Sequence, residues 1–212
     1  GRVPLIQNVV FMGMGEPFDN LGAVASATHI LTDDRGMKLS PSRVTVSTVG
    51  VADKIETFFS SCRAELAVSL NAPDDERRTA IMPVNARFPI SVLMSTLSLH
   101  VPRGHKVLFE YVLIGGFNDA PEDADKLAAI VSAVPCRVNV IPVNPGPDPR
   151  HRAPSQEATN RFVGRLASLG AFRKFRESAT ASRYRADRSR PGRAFRRSQR
   201  FAHRLDHAHP VA

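Results

Sequence analysis

Along the first 170 residues, short apolar segments rich in β-branched residues alternate with segments of helical periodicity, and this alternation restricts the fold most. A strand followed by a helix, repeated five times, predicts an α/β protein with parallel strands covered by helices. The pattern alone fits either an open doubly wound sheet or part of a barrel. The predicted strands are Val9–Phe11, 43–49, 64–70, 106–114 and 137–142, and the predicted helices are 21–31, 51–59, 74–82, Ile90–His100, 119–134 and 155–169.

Several of the predicted helices have recognisable ends. Asn20 suits the N-cap position of the first helix. Asp119 and Glu122 have the spacing of a capping box, with Asp in place of Ser or Thr. Gly170 ends the last helix, because glycine tolerates the left-handed conformation that commonly follows a helix.

The stretch NVVFMGMGEPFDN, residues 8–20, carries the strongest functional signal. A buried strand runs into a turn with Gly13 and Gly15, and Glu16 follows at the carboxyl end of the strand. Ligands of α/β proteins bind at this end, and glycines allow close approach of the backbone. A carboxylate there suits a cation such as an ammonium group, although a plain turn with a solvated Glu is equally typical. The Rossmann phosphate loop does not fit, because Phe18 stands where its third glycine would be.

Polar residues also follow other predicted strands. They are Ser47, Ser69 with Asn71, and Asn144. In a barrel the carboxyl ends of all strands meet on one face, which is where barrel enzymes keep their active sites. Each residue taken alone is more typical of a turn or a cap, but the repetition at four strand ends weakens that interpretation.

The formal charge of +9 is confined to the end of the chain. Residues 173–212 hold twelve of the 29 Lys and Arg residues and three of the 20 acidic residues, so the other 172 residues are neutral overall. One interpretation is a disordered, Arg-rich arm that binds RNA phosphates. The other is that the original reading frame is lost here, since a shifted frame in a GC-rich gene also encodes Arg-, Ala-, Pro- and Ser-rich sequence.

Two cysteines, Cys62 and Cys136, exclude a disulfide framework and are too few for a zinc or iron–sulfur site of their own. No apolar run approaches 18 residues, and the first residues lack the apolar core of a secretion signal, so we expect no membrane span and a cytoplasmic location.

Five motifs carry a family resemblance. In order, they are VVFMGMGEPFDN, RVTVSTVG, ELAVSLNAPDDERR, FEYVLIGGFND and CRVNVIPVNP. Together they resemble the RlmN/Cfr family of radical S-adenosylmethionine (SAM) enzymes, which methylate carbon 2 or carbon 8 of an adenine in large-subunit ribosomal RNA. The resemblance covers roughly residues 4–172. It implies a partial (βα)6 radical-SAM barrel of about five βα units over residues 1–172, followed by the basic tail 173–212, which we expect to be disordered or out of frame.

The resemblance also implies roles for single residues and partners. Gly15 and Glu16 match the family's element for the methionine amino group of SAM. The other positions that match SAM contacts are Ser47, Ser69, Leu70, Asn71 and Asn144. The implied substrate is 23S ribosomal RNA, with transfer RNA as a second substrate of the RlmN members.

Three elements of the family pattern have no counterpart in this sequence. The family holds a [4Fe–4S] cluster with a C-x3-C-x2-C loop, uses a Glu as general base, and carries the methyl group on a Cys after the last helix. None of these matches a position here, so we assign no catalytic and no metal-binding residue, and we expect the chain alone to be inactive. Because one βα unit of the barrel is also missing, we expect self-association through an exposed strand edge.

Overall fold

Five parallel strands and six α-helices alternate in a computed structural model that describes residues 6–144 and 151–170. The strands are β1 Val9–Phe11, β2 Val44–Thr48, β3 Glu65–Ser69, β4 Val107–Leu113 and β5 Cys136–Pro142. The helices are α1 Leu21–Thr32, α2 Ile55–Ser61, α3 Asp75–Ile81, α4 Ile90–His100, α5 Pro121–Val131 and α6 Gln156–Ser168. The predicted tail 173–212 lies outside the described residues, and its assignment as a separate segment stays a prediction.

The strands form one sheet in the order β1-β2-β3-β4-β5, with every neighbouring pair parallel. A doubly wound sheet would reverse its strand order at a switch point, whereas a barrel keeps the sequential order. The sheet is therefore the barrel alternative of the two that the sequence pattern left open, which confirms the predicted partial barrel.

The hydrophobic core lies between the outer face of the sheet and the helices. Side chains of β2, β3, β4 and β5 alternate between this core and the inner face of the sheet. Tyr111 of β4 stacks on Phe162 of α6 with ring centroids 5.4 Å apart, and Phe18 stacks on Phe58 of α2 at 5.6 Å. The first contact packs α6 on β4, and the second packs α2 on the segment that follows β1.

On the inner face of the sheet, polar side chains alternate with apolar ones such as Leu108, Val112 and Ile141. Ser69 of β3, Glu110 of β4 and Asn139 of β5 are Cα partners in one row across three strands. Ser47 of β2 lies on the same face one row earlier, where Ala67 separates it from β4. This inner face therefore offers polar groups to a ligand beside its apolar side chains.

Two of the predicted helix caps differ from the structure. The Asp119–Glu122 capping box is wrong: α5 begins at Pro121, and Asp123 accepts the N–H of Ala120 at 3.3 Å. Asp119 instead accepts the N–H of Gly116 at 2.8 Å, in the loop before the helix. Asn20 does precede α1, but its side chain makes no capping hydrogen bond, because a 3₁₀ turn, Pro17–Asn20, leads into the helix.

Among the described residues, no helix is both long and apolar enough to cross a membrane.

Candidate functional site

The turn after β1 presents bare backbone at the carboxyl edge of the sheet. A Cβ placed on Gly13 or Gly15 would meet no atom within 4 Å, and Met14 between them is fully exposed. Gly15 has φ +134°, a conformation that side chains of L-residues rarely adopt. A ligand can therefore approach this backbone from the open side.

Glu16 follows this turn and joins the ends of two strands. Its Oε1 accepts the N–H of Phe18 at 2.9 Å, and its Oε2 accepts the N–H of Val49, just after β2, at 2.8 Å. A carboxylate has about four acceptor positions, so two are left for a ligand. Both oxygens are held in fixed directions, which suits a bound ammonium group.

Arg78 lies fully buried beneath the ends of β2 and β3. Its Nη2 donates to the carbonyls of Val49 at 2.7 Å and Ser69 at 3.2 Å, and its Nε donates to that of Leu70 at 3.1 Å. Its Nη1 donates to Asn85 Oδ1 at 2.7 Å. Burial lowers the pKa of this guanidinium to about 10, so it still carries its charge at neutral pH. The backbone of Val49 is thus held at both of its polar groups: its N–H donates to Glu16, and its carbonyl accepts from Arg78.

Asn71 and Asn118 continue these connections from β3 to β4. Asn71 has φ +59°, and its Oδ1 accepts the N–H of Val112 at 3.0 Å. The buried Asn118 donates from Nδ2 to the carbonyls of Asn71 and Val112, both at 2.8 Å, and accepts the N–H of Ile114 at 2.7 Å. We call Glu16, Arg78, Asn71 and Asn118 the rim belt, because together they connect the carboxyl ends of four strands.

The predicted site residues lie at this edge, in different settings. Ser47 is buried on the inner face, and its hydroxyl donates to Glu110 Oε2 at 3.2 Å. Leu70 directs its side chain into the helix-facing core, so only its backbone borders the rim. Asn144 is exposed two residues after β5. The structure brings together Glu16, Ser47 and the β3 end; the assignment of these residues to SAM stays a prediction.

Two polar residues of this edge were not predicted from the sequence. Glu110 is the lone acid inside the apolar strand KVLFEYVLI, and that position was the available signal. Burial raises the pKa of the Glu110 carboxyl, and the hydrogen bond from Ser47 partly offsets the rise. Arg78 gives no such signal, because an arginine in DDERR is typical of a solvated helix face.

The described residues do not fit an iron–sulfur cluster. Cys136 begins β5 and Cys62 lies shortly before β3, so both thiols belong to the amino edge of the sheet, opposite the rim. Burial raises the pKa of the Cys136 thiol to about 11 and also raises that of Cys62, whereas cluster ligands are thiolates. Within residues 6–144 and 151–170, no group of three His, Cys, Asp or Glu side chains could hold a metal ion.

The fold has counterparts in solved structures. A radical SAM methyltransferase from Sphaerobacter thermophilus superposes with a TM-score of 0.75 and 40% identity, over 81% of this chain and 51% of that one. A domain of a pyruvate-formate lyase-activating enzyme from Bacteroides vulgatus shares the fold alone, with a TM-score of 0.61 and 17% identity. The class of protein is therefore a radical-SAM-type α/β barrel.

Proteins of similar sequence narrow this class further. A probable RNA methyltransferase of Sorangium cellulosum is 64% identical over 170 residues, and a dual-specificity RNA methyltransferase RlmN of Geobacter sulfurreducens is 43% identical over 158 residues. These matches cover 80% and 74% of this chain, but only 42% and 44% of the two relatives. No family model matches the chain. The chain is homologous to proteins named RNA methyltransferases, RlmN among them, and it spans less than half the length of these two relatives.

Proposed function

We propose that the described barrel is the SAM-binding part of an RNA methyltransferase of the RlmN type. Its substrate would be carbon 2 of an adenine in 23S ribosomal RNA, with transfer RNA as a second substrate, in the cytoplasm. The observation that carries the proposal is Glu16, a carboxylate beside open glycine backbone at the carboxyl edge of a radical-SAM-type sheet. The 43% identity to a relative named RlmN supports the RNA methyltransferase activity.

Bound SAM would supply the methyl group, and residues of this chain would hold the SAM molecule. The Glu16 carboxylate, fixed by the N–H groups of Phe18 and Val49, accepts hydrogen bonds from the methionine ammonium group. The bare backbone of Gly13 and Gly15 lets the ligand approach to contact distance. Ser47, the β3 end at Ser69 to Asn71, and Asn144 are the further contacts that we assign to SAM.

Isothermal titration with SAM tests this assignment. The chain is expected to bind SAM, and Glu16→Gln is expected to weaken binding at least about tenfold, because a charge-assisted hydrogen bond to the ammonium is lost. Glu157→Gln is the matched control, since Glu157 is exposed on α6 and pairs only with Arg161 among the described residues. Absence of SAM binding, or equal affinity of the Glu16 and Glu157 variants, would overturn the proposal.

We further propose that these 212 residues by themselves do not methylate RNA. The family cluster needs three cysteine thiolates, whereas the sequence has two cysteines, both at the amino edge of the sheet. In the titrated samples, SAM should therefore bind without methyladenine forming in added 23S ribosomal RNA. Formation of methyladenine would contradict this part of the proposal and leave the SAM site intact.

A second candidate is a non-catalytic relative that binds SAM or RNA through the basic tail. The charge of residues 173–212, twelve basic against three acidic, is the observation that favours it. Such a protein would bind RNA with a steep salt dependence, and removal of the tail would abolish that binding.

Self-association through β1 is the third part of the proposal. Within the described residues β1 pairs with β2 alone, so its other edge has free backbone groups. Val10 and Met12 beside this edge are about half exposed. Unpaired edges and exposed apolar residues promote pairing between copies. Sedimentation velocity should show oligomers that grow with concentration and diminish in Val10→Lys, whereas a monomer at every concentration would refute the idea.

A further inference from the structure

The two edges of the sheet differ in charge. The segments that enter β2, β3, β4 and β5 carry six Lys and Arg residues and two acids, over 33–43, 62–64, 101–106 and 132–135. The segments that leave β1, β2, β3 and β4 for the next α-helix carry one basic residue and five acids, over 12–20, 49–54, 70–74 and 114–120. The amino edge of the sheet is therefore basic, and the carboxyl edge, to which the SAM site is assigned, is acidic.

The basic edge contains a cleft of about 650 Å³, lined by the loop after α1 and by Arg63 from the segment before β3. Lys38 of that loop and Arg63 are both exposed in this lining. A second cleft of about 400 Å³ shares Lys38 with the first and adds Arg43, which directly precedes β2. Cations from the segments before two neighbouring strands thus line one pair of adjoining clefts.

Two acids also line the first cleft, and one of them is already paired. Oδ1 of Asp33 accepts the backbone N–H of Arg35 at 2.7 Å and its Nε at 3.3 Å. These hydrogen bonds lower the pKa of the Asp33 carboxyl, with a smaller contribution from the charge of Arg63. Among the described residues, neither Lys38 nor Arg63 forms an ion pair. The two cations together therefore outweigh Asp34, the second acid of the lining.

Backbone hydrogen bonds fix the positions of these two cations. Lys38 has φ +54°, which residues other than glycine adopt rarely, and its N–H donates to the Asp33 carbonyl at 3.2 Å. The N–H of Arg63 donates to the hydroxyl of the buried Thr28 at 3.1 Å, which connects the segment before β3 to α1. The fold therefore decides that both side chains start from the walls of the same cleft.

We propose that Lys38 and Arg63, with Arg43 beside them, bind phosphate groups of the substrate RNA at the amino edge of the sheet. The choice of RNA as the ligand rests on the proposed function, and the position of its backbone is the new element. Phosphate contacts supply much of the affinity for RNA, and the acidic segments of the carboxyl edge repel phosphates. At about 3.3 Å per residue, the seven residues of β4 separate the two edges by roughly 20 Å. The phosphates bound here therefore belong to nucleotides away from the target adenine, and they position the RNA without reading its sequence.

The salt dependence of RNA binding tests this assignment. Fluorescence anisotropy with a labelled, adenine-containing single-stranded RNA, at several salt concentrations, compares the wild-type chain with Lys38→Gln/Arg63→Gln. Each lost phosphate contact lowers the slope of log K against log salt by about 0.7, so the double variant is expected to lose about 1.4 and each single variant about half of that. All variants keep residues 173–212, so any binding by the basic tail contributes equally to every slope.

The matched control is Arg161→Gln/Arg165→Gln, which removes the same net charge from two arginines of α6 that pair with Glu157 and Asp125. Its slope should equal that of the wild type. Thermal melting verifies that each variant folds, and the single variants carry the test if the double variant does not fold. Equal slopes in the cleft variant and the control, or absence of RNA binding by the wild-type chain, would overturn the inference.

Titration of the same samples with SAM separates this result from the proposed SAM site. The affinity for SAM should be unchanged in Lys38→Gln/Arg63→Gln, because the cleft lies at the opposite edge of the sheet from Glu16. Failure of the wild-type chain to bind SAM would overturn the proposed function, whereas the slopes alone decide whether the cleft binds RNA phosphates.

Discussion

Replacing Arg78 with methionine is expected to lower the free energy of unfolding by about 3 to 5 kcal/mol, because several buried acceptors lose their donor at once. Methionine has a similar length but no N–H group. The carbonyls of Val49, Ser69 and Leu70 and the amide oxygen of Asn85 would lose the bonds that Arg78 makes. Each buried acceptor without a donor costs roughly 1 to 3 kcal/mol, and relief from burying the guanidinium charge offsets part of the sum.

Urea unfolding of the variant measures this loss, and the chain offers a matched control. Arg87 is 72% exposed and pairs with Asp53 at 2.7 Å, so Arg87→Met removes the same chemical group from the surface. An exposed ion pair contributes about 0 to 1 kcal/mol. If Arg78→Met cost no more than Arg87→Met, the buried guanidinium would not hold the strand ends. Arg78→Lys should fall between the wild type and Arg78→Met, because one ammonium cannot reproduce the planar set of five donors.

Asn118→Ala is expected to cost about 2 to 4 kcal/mol, because this side chain joins the ends of β3 and β4. Its removal leaves the N–H of Ile114 and the carbonyls of Asn71 and Val112 without these partners, at the position of a fully buried side chain. The distances of 2.7 to 2.8 Å indicate well-formed hydrogen bonds. The loss should appear as a lower urea midpoint with an unchanged slope.

Asn160 provides the comparison for this variant. It is exposed on α6, and its side chain accepts a hydrogen bond from Gln156 at 3.0 Å, four residues earlier. Pairs of this kind stabilise a helix by about 0.2 to 0.5 kcal/mol. Equal losses in Asn118→Ala and Asn160→Ala would show that the rim belt is dispensable for stability.

The Arg78 and Asn118 variants also bear on the proposed SAM site. Asn71 and Glu16, which the family resemblance assigns to SAM, have side chains that hold neighbouring strand ends in this structure. Their amide and carboxylate groups therefore fix the shape of the rim in addition to any ligand contact. Arg78 and Asn118 are not assigned to SAM themselves. They donate hydrogen bonds to the carbonyls of Ser69 and Asn71, and so hold that backbone in place.

Local pattern was sufficient where neighbouring residues decide the outcome. The helix Ile90–His100 and the strand Val9–Phe11 have the predicted bounds, because their apolar periodicity continues to both ends. The start of α5 was missed, since two acids, Glu122 and Asp123, follow the loop and only the fold decides which one reaches back to Ala120. The pairs Asp119–Glu122 and Ala120–Asp123 have the same spacing, so the spacing alone does not distinguish between them.

The alternation of strands and helices, the glycine turn with Glu16 and the polar residues after the strands could be predicted without the structure, since each depends on residues adjacent in the chain. That the sheet is a partial barrel follows only from the three-dimensional fold, because strand order depends on pairings between residues 20 to 41 positions apart. The three-dimensional fold also decided that Arg78 is buried while its neighbour Arg77 pairs with Asp74 and Asp123. Two adjacent arginines on a helix are equivalent in sequence, and only the packing of α3 against the strand ends makes one of them a core residue.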